Sequence, residues 1–153
     1  MSNQITRKEK PAAVTAHANT RIVRLQGGGL RFLDAHEIQQ KDFQVVTRPF
    51  QGFDTTQHWR INDLGGGVST IQQVSSGRFL DAHEIQQLDF RVVTRPQQDN
   101  DTQLWRIQEF GGGFVTIQQV STGRCLEPYI DQAHGFQVVT RPCNNSNLQT
   151  WRM

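Results

Sequence analysis

Several things are missing from this chain of 153 residues. No apolar run approaches the roughly 20 residues needed to cross a bilayer, so membrane insertion is not expected. No basic stripe is present either. The formal charge is only +2, and Arg7-Lys8-Lys10 is the one local cluster, which argues against a nucleic-acid groove. The N-terminus lacks the apolar central segment of a secretory leader. The expectation is a protein that stays inside the cell or leaves by a non-classical route. There is no phosphate-binding glycine loop and no recurring serine–histidine–acid arrangement, so neither an enzyme nor a cofactor is expected. No stretch carries a convincing helical period. Residues 1–19 are polar, contain Pro11 and match nothing later in the chain, as expected of a mobile tail.

What the chain does have is repetition. Gln57-His58-Trp59, Gln103-Leu104-Trp105 and Gln149-Thr150-Trp151 account for all three tryptophans, which are spaced 46 residues apart twice over. A fixed period of this size marks one supersecondary unit copied along the chain. Gly65-Gly66-Gly67 recurs at Gly111-Gly112-Gly113. Val45-Val46-Thr47-Arg48-Pro49 recurs from Val92 and again from Val138. The ten residues from Arg31 to Gln40 reappear unchanged from Arg78 to Gln87.

Within one copy, Val68 to Val74 alternates apolar and polar residues and ends at the turn Ser75-Ser76-Gly77. Arg78 to Asp81 forms a second short strand. Phe90 to Arg95 forms a third, stopped by Pro96, and Thr102 to Ile107 a fourth. Glu109 to Gly113 then turns into the next copy. Four strands in three copies predict an all-β fold of twelve short strands, closed about a pseudo-threefold axis.

Three copies each ending in Gln-x-Trp, over residues 20–153, resemble the ricin B-chain type of β-trefoil lectin domain. The resemblance implies a single β-trefoil domain with lobes at about 20–64, 65–110 and 111–153. It also implies a six-stranded barrel capped by three hairpins, with a shallow carbohydrate pocket on each lobe. Galactose-type sugars are what the family suggests as ligands. Each family pocket centres on an aspartate after the second strand, and the matching residues are Asp34, Asp81 and Glu127. A carboxylate accepts two hydroxyls at once through charge-assisted bonds, which suits sugar recognition. Gln57, Gln103 and Gln149 match the residue that braces this carboxylate. As buried amides they could equally satisfy backbone groups at the hairpin base.

The third strand departs from the family. Where an aromatic commonly stacks on the sugar, this chain has Arg48, Arg95 and Arg141. Val46, Val93 and Val139 replace a polar residue, and Thr56, Thr102 and Leu148 replace an asparagine. Arg95 could stack on or hydrogen-bond a ligand, or it could pair with Asp81; an arginine beside an aspartate also suits acidic sugars. His36-Glu37 and His83-Glu84 follow the aspartates, where the histidine could touch a sugar or simply hold its loop. A His-Glu-x-x-His metal site lacks its second histidine, because Gln40 and Gln87 stand there. The third copy reads Glu127-Pro128-Tyr129-Ile130, which marks a weaker or silent site. Cys125 and Cys143 fall where many family members form an intra-lobe disulfide, opposite Phe32 with Phe50 in the first copy. A chain with two cysteines and no leader could also keep them reduced.

The expected function is therefore a non-catalytic carbohydrate-binding lectin module acting through at least its first two lobes. The alternative is a trefoil scaffold that has lost sugar binding and engages a protein partner.

Overall fold

The computed structural model describes residues 19–153, so residues 1–18 of the expected tail lie outside the described residues. Asn19 is already tied in, its carbonyl accepting from the Asp63 N–H at 3.1 Å. The described residues form twelve strands: β1 (Thr20–Val23), β2 (Phe32–Ala35), β3 (Val45–Arg48), β4 (Trp59–Asp63), β5 (Val68–Gln73), β6 (Phe79–Ala82), β7 (Val92–Arg95), β8 (Trp105–Gly111), β9 (Phe114–Gln119), β10 (Cys125–Pro128), β11 (Val138–Arg141) and β12 (Trp151–Arg152). Short 3-10 turns link them, and no α-helix occurs among the described residues.

Antiparallel pairing runs β1–β4–β5–β8–β9–β12. Reciprocal bonds between Gln26 and Arg152 at 2.9 and 2.8 Å close this path into a six-stranded barrel. The remaining strands form the hairpins β2–β3, β6–β7 and β10–β11. At one mouth the hairpins meet in a ring: Thr94 N–H donates to the Phe43 carbonyl, Thr140 to Phe90 and Thr47 to Phe136, each at 3.0 Å. This is the three-lobed β-trefoil that the repeats predict.

Among the barrel strands β4, β5 and β9 alternate, with every second side chain buried over most of their length. The hairpin strands are covered on both faces because the three hairpins pack against one another over the barrel mouth. Val46, Val93 and Val139 are therefore buried as well. Trp59, Trp105 and Trp151 fill equivalent core positions at 0% exposure, with Leu33, Leu80, Leu126, Val45, Val92 and Val138 around them. Each buried indole N–H needs an acceptor. Each finds one in the carbonyl of Leu33, Leu80 or Leu126, at 3.0 Å. Gly27 is required at the barrel's closing edge, since a Cβ there would lie 2.6 Å from the Trp151 ring.

Strand boundaries differ from the sequence reading: the first two strands of the copy shift by single residues, to Val68–Gln73 and Phe79–Ala82, and the other two by more. The third strand starts at Val92 rather than Phe90, because Asp89 and Phe90 adopt left-handed backbone at φ 55 and 50. The fourth starts at Trp105 rather than Thr102, because a 3-10 turn over Asp101–Gln103 is needed to aim the Gln103 amide inward. That fourth strand then continues to Gly111 across a bulge, so the turn into the next copy is shorter than expected.

In lobe three, Cys125 and Cys143 are joined by a disulfide with Cα atoms 5.1 Å apart. Phe32 and Phe50 occupy the matching place in lobe one, with ring centroids 5.6 Å apart. The loop closed by the bridge spans 18 residues. Replacing both cysteines by serine is expected to lower stability by about 3 kcal/mol. A urea midpoint within error of the unmodified protein would contradict that.

Candidate functional site

Each lobe places a carboxylate at the same point on its second strand. Asp34 and Asp81 are buried, and Glu127 is half-buried. The triplet glutamine braces all three: Gln57 Nε2 donates to Asp34 Oδ2 at 3.2 Å, Gln103 Nε2 to Asp81 Oδ2 at 3.0 Å and Gln149 Nε2 to Glu127 Oε1 at 3.0 Å. The same amide nitrogens also donate to the carbonyls of Pro49, Pro96 and Pro142. Their oxygens accept from the backbone N–H of Gln51, Gln98 and Asn144. The glutamines thus combine two roles, bracing the acid and satisfying the hairpin base.

The other carboxylate oxygen is also engaged. Asp34 Oδ1 accepts from the Ala35 N–H at 2.7 Å and faces Arg48 Nη1 at 3.2 Å. Asp34 is 0% exposed and the Arg48 side chain 31%, so the arginine forms the outer layer of the site. In lobe two the Arg95 guanidinium is looser on Asp81, at 3.9 Å, and touches the His83 ring at 3.2 Å. Arg48 Nη2 likewise lies 3.2 Å from His36 Nδ1. Burial and the nearby charges of Arg48 and Lys41 hold the His36 imidazole below its ordinary range, with Asp34 opposing them. A neutral His36 can accept a hydrogen bond from Arg48 Nη2 at Nδ1 and present its Nε2–H outward.

The open grooves of the surface lie beside these carboxylates rather than over them. One runs between Phe32, Phe50, His58 and Arg152, another past Phe79, Gln98, Asn100 and Gln103. The aspartates are therefore the floor of each site, and Arg48 with His36 or Arg95 with His83 is its accessible face.

Sequence reasoning missed the residues that join the lobes. Asp42, in lobe one, accepts from His83 Nε2 at 2.8 Å and Arg91 Nη2 at 3.2 Å in lobe two. Burial raises the Asp42 carboxyl, but the His83 and Arg91 hydrogen bonds and charges outweigh it and leave the pKa below the usual carboxylate range. Asp89, in lobe two, accepts from Arg141 Nη2 at 2.7 Å and the Tyr129 hydroxyl at 2.6 Å in lobe three. That hydrogen bond and burial raise the Tyr129 phenol above its ordinary value. Glu37 and Glu84 also reach across, to the hydroxyls of Ser75 and Ser121. The available signal was the aspartate before Phe43 and before Phe90, a residue type enriched in left-handed backbone.

Comparison with known proteins bears on the same features. A family model described as ricin-type beta-trefoil lectin domain-like matches residues 55–140, more than half of the chain. The chain belongs to the ricin-type β-trefoil lectin domain-like family, which at family level supports a carbohydrate-binding module. No curated protein sequence matches it. Among solved structures, it is similar to the designed 3-fold symmetric protein ThreeFoil, at 24% identity and a TM-score of 0.75, over 86% of this chain and 96% of that one. It is also similar to an exo-beta-1,3-galactanase from Clostridium thermocellum, at 22% identity and a TM-score of 0.73, over 84% of this chain but 29% of that one. A third is a Polyporus squamosus lectin bound to the epitope Neu5Acα2-6Galβ1-4GlcNAc, at 16% identity and a TM-score of 0.69, over 85% and 47% of the two chains. At these identities the likeness shows the fold.

Proposed function

We propose that this chain is a non-catalytic carbohydrate-binding module that recognises glycans at shallow sites on lobes one and two. The observation that carries this reading is the recurrence, in both lobes, of one buried aspartate, its glutamine brace and an outer arginine–histidine pair. A buried carboxylate held from below fixes the guanidinium above it, and a fixed planar fork of donors suits the hydroxyl pairs of a sugar. The lectin among the similar structures, with its bound glycan, lends support at the level of the fold. In lobe three Tyr129 replaces the histidine and Arg141 is committed to Asp89, so that site is weaker or silent. Single shallow sites bind weakly, and two on one chain favour ligands that present several sugars.

A second reading, a scaffold for a protein partner, is favoured by the complete burial of Asp34 beneath Arg48. A glycan array probed with the purified protein separates the two. Binding to a defined set of glycans, competed by the free sugar, is the expected result. A folded protein that binds nothing on the array would leave the scaffold reading in its place.

A further inference from the structure

The pseudo-threefold ring of hairpins is broken at one seam. Where lobe one meets lobe two, Asp42 supplies a carboxylate to His83 and Arg91. Where lobe two meets lobe three, Asp89 supplies one to Tyr129 and Arg141. At the third seam, where lobe three meets lobe one, the equivalent residue is Gly135. It precedes Phe136, whose carbonyl accepts from Thr47 just as those of Phe43 and Phe90 accept from Thr94 and Thr140. Its backbone is left-handed at φ 61, against 52 and 55 at Asp42 and Asp89. The second acid of each seam, Glu37 or Glu84, is here Ile130, which lies against Gly28 and Gly29. Asp131, the acid of the lobe-three loop, is paired with its own His134 at 2.8 Å.

Lobe one thus presents His36 and Arg48 to a seam that brings them no carboxylate among the described residues. Each has a copy that already holds a seam carboxylate, since His83 binds Asp42 in lobe two and Arg141 binds Asp89 in lobe three. Lys41 adds a further positive charge near His36 and stands where lobe two has Leu88. Asp34 offsets part of this charge from below. A carboxylate brought by a ligand would meet His36 as Asp42 meets His83, and Arg48 as Asp89 meets Arg141, with the amide Gln44 standing where lobe two has Arg91 and the planar guanidinium fitting a planar acid.

We infer that lobe one is selective for glycans carrying a carboxylate, the acidic sugar taking the place that Asp42 and Asp89 fill at the other two seams. This rests on the carbohydrate-binding reading above, and it separates the two lobes. In lobe two Asp42 already occupies His83 from within, so that site accepts uncharged sugars, whereas lobe one requires the acid.

The protein can supply its own competitor. A Cβ on Gly135 meets nothing within 4 Å, and aspartate already adopts this backbone at both equivalent positions. Gly135→Asp should therefore fold, confirmed by thermal melting, and should raise the titration midpoint of His36 followed by NMR. Titrated with sialylated, glucuronate-terminated and neutral galactose-terminated glycans, it should lose about ten- to a hundredfold in affinity for the acidic ligands, as expected for a charged hydrogen-bonded contact. Neutral glycan binding should be unchanged. The reverse change, Asp42→Gly, opens the equivalent seat in lobe two and should add a second acidic-glycan site per chain. Equal binding of acidic and neutral glycans, unaltered by Gly135→Asp, would overturn the acidic selectivity and leave the carbohydrate reading standing. A His36 midpoint unmoved by Gly135→Asp would overturn the seat itself. Preference for a glutamate-rich peptide over every glycan would overturn both readings.

Discussion

Alanine at Trp59, Trp105 or Trp151 is expected to destabilise the fold by about 3–5 kcal/mol, the range for removing a large buried aromatic. Each ring is 0% exposed and packs with a leucine from the hairpin of its own lobe and a valine from that hairpin's second strand. Each also donates its N–H to the carbonyl of that leucine, so truncation empties a volume and strips a buried carbonyl of its partner. Native domains are stable by only about 5–15 kcal/mol, so a single change of this kind removes a large share of the total. Phenylalanine at the same positions keeps part of the volume and loses only the donor. It should fall between the unmodified protein and alanine. Urea titration followed by circular dichroism measures all of these. Losses below about 1 kcal/mol at all three sites would mean that the tryptophans do not form the core contacts described.

The tryptophans were legible because the signal was periodic. Three Gln-x-Trp triplets at equal spacing specify both the number of lobes and the equivalence of their cores, and the strands follow from alternation within one copy. The pairing of Asp34 with Gln57 was legible only through the family resemblance, which implies that the triplet glutamine braces the acid. The seams were not. Asp42 reaches His83 across 41 residues, and Asp89 reaches Tyr129 across 40. These contacts exist only because three hairpins meet at an axis. The meaning of Gly135 appears only once it is placed beside Asp42 and Asp89. Burial of Asp34 was equally hidden, because an aspartate in a strand gives no sign of what lies above it. The covering Arg48 was visible only as a departure from the family, and for its copy Arg95 both ligand contact and pairing with Asp81 were open. The start of the third strand moved for a local reason, since a phenylalanine in left-handed backbone is uncommon and the aspartate before it points only to its own position.

Glycan binding should depend on Asp34 and Asp81 and much less on Glu127. The burial of Asp34 and Asp81 changes how that dependence arises. Neither aspartate need touch a sugar. Each holds an arginine and a glutamine in place, so its loss releases the outer donors into many rotamers and leaves the Gln57 or Gln103 amide short of an acceptor. Removing such a buried charged acceptor should weaken that site by about 1.5–3 kcal/mol. Asp34→Ala or Asp81→Ala alone should therefore reduce binding to a multivalent glycan carrying both acidic and neutral termini, and the double change should nearly abolish it. Glu127→Ala should have little effect on binding, because Arg141 is anchored to Asp89 and Tyr129 rather than to Glu127. Folding must be followed alongside, since the same hydrogen bonds tie the second strand to the Gln-x-Trp turn. Asp34→Asn and Asp81→Asn keep the shape and one carbonyl acceptor, and should lose most of the binding with a smaller loss in melting temperature. That split between binding and stability is the diagnostic result. A double asparagine variant that melts like the unmodified protein and binds glycans unchanged would sink the aspartate-centred site.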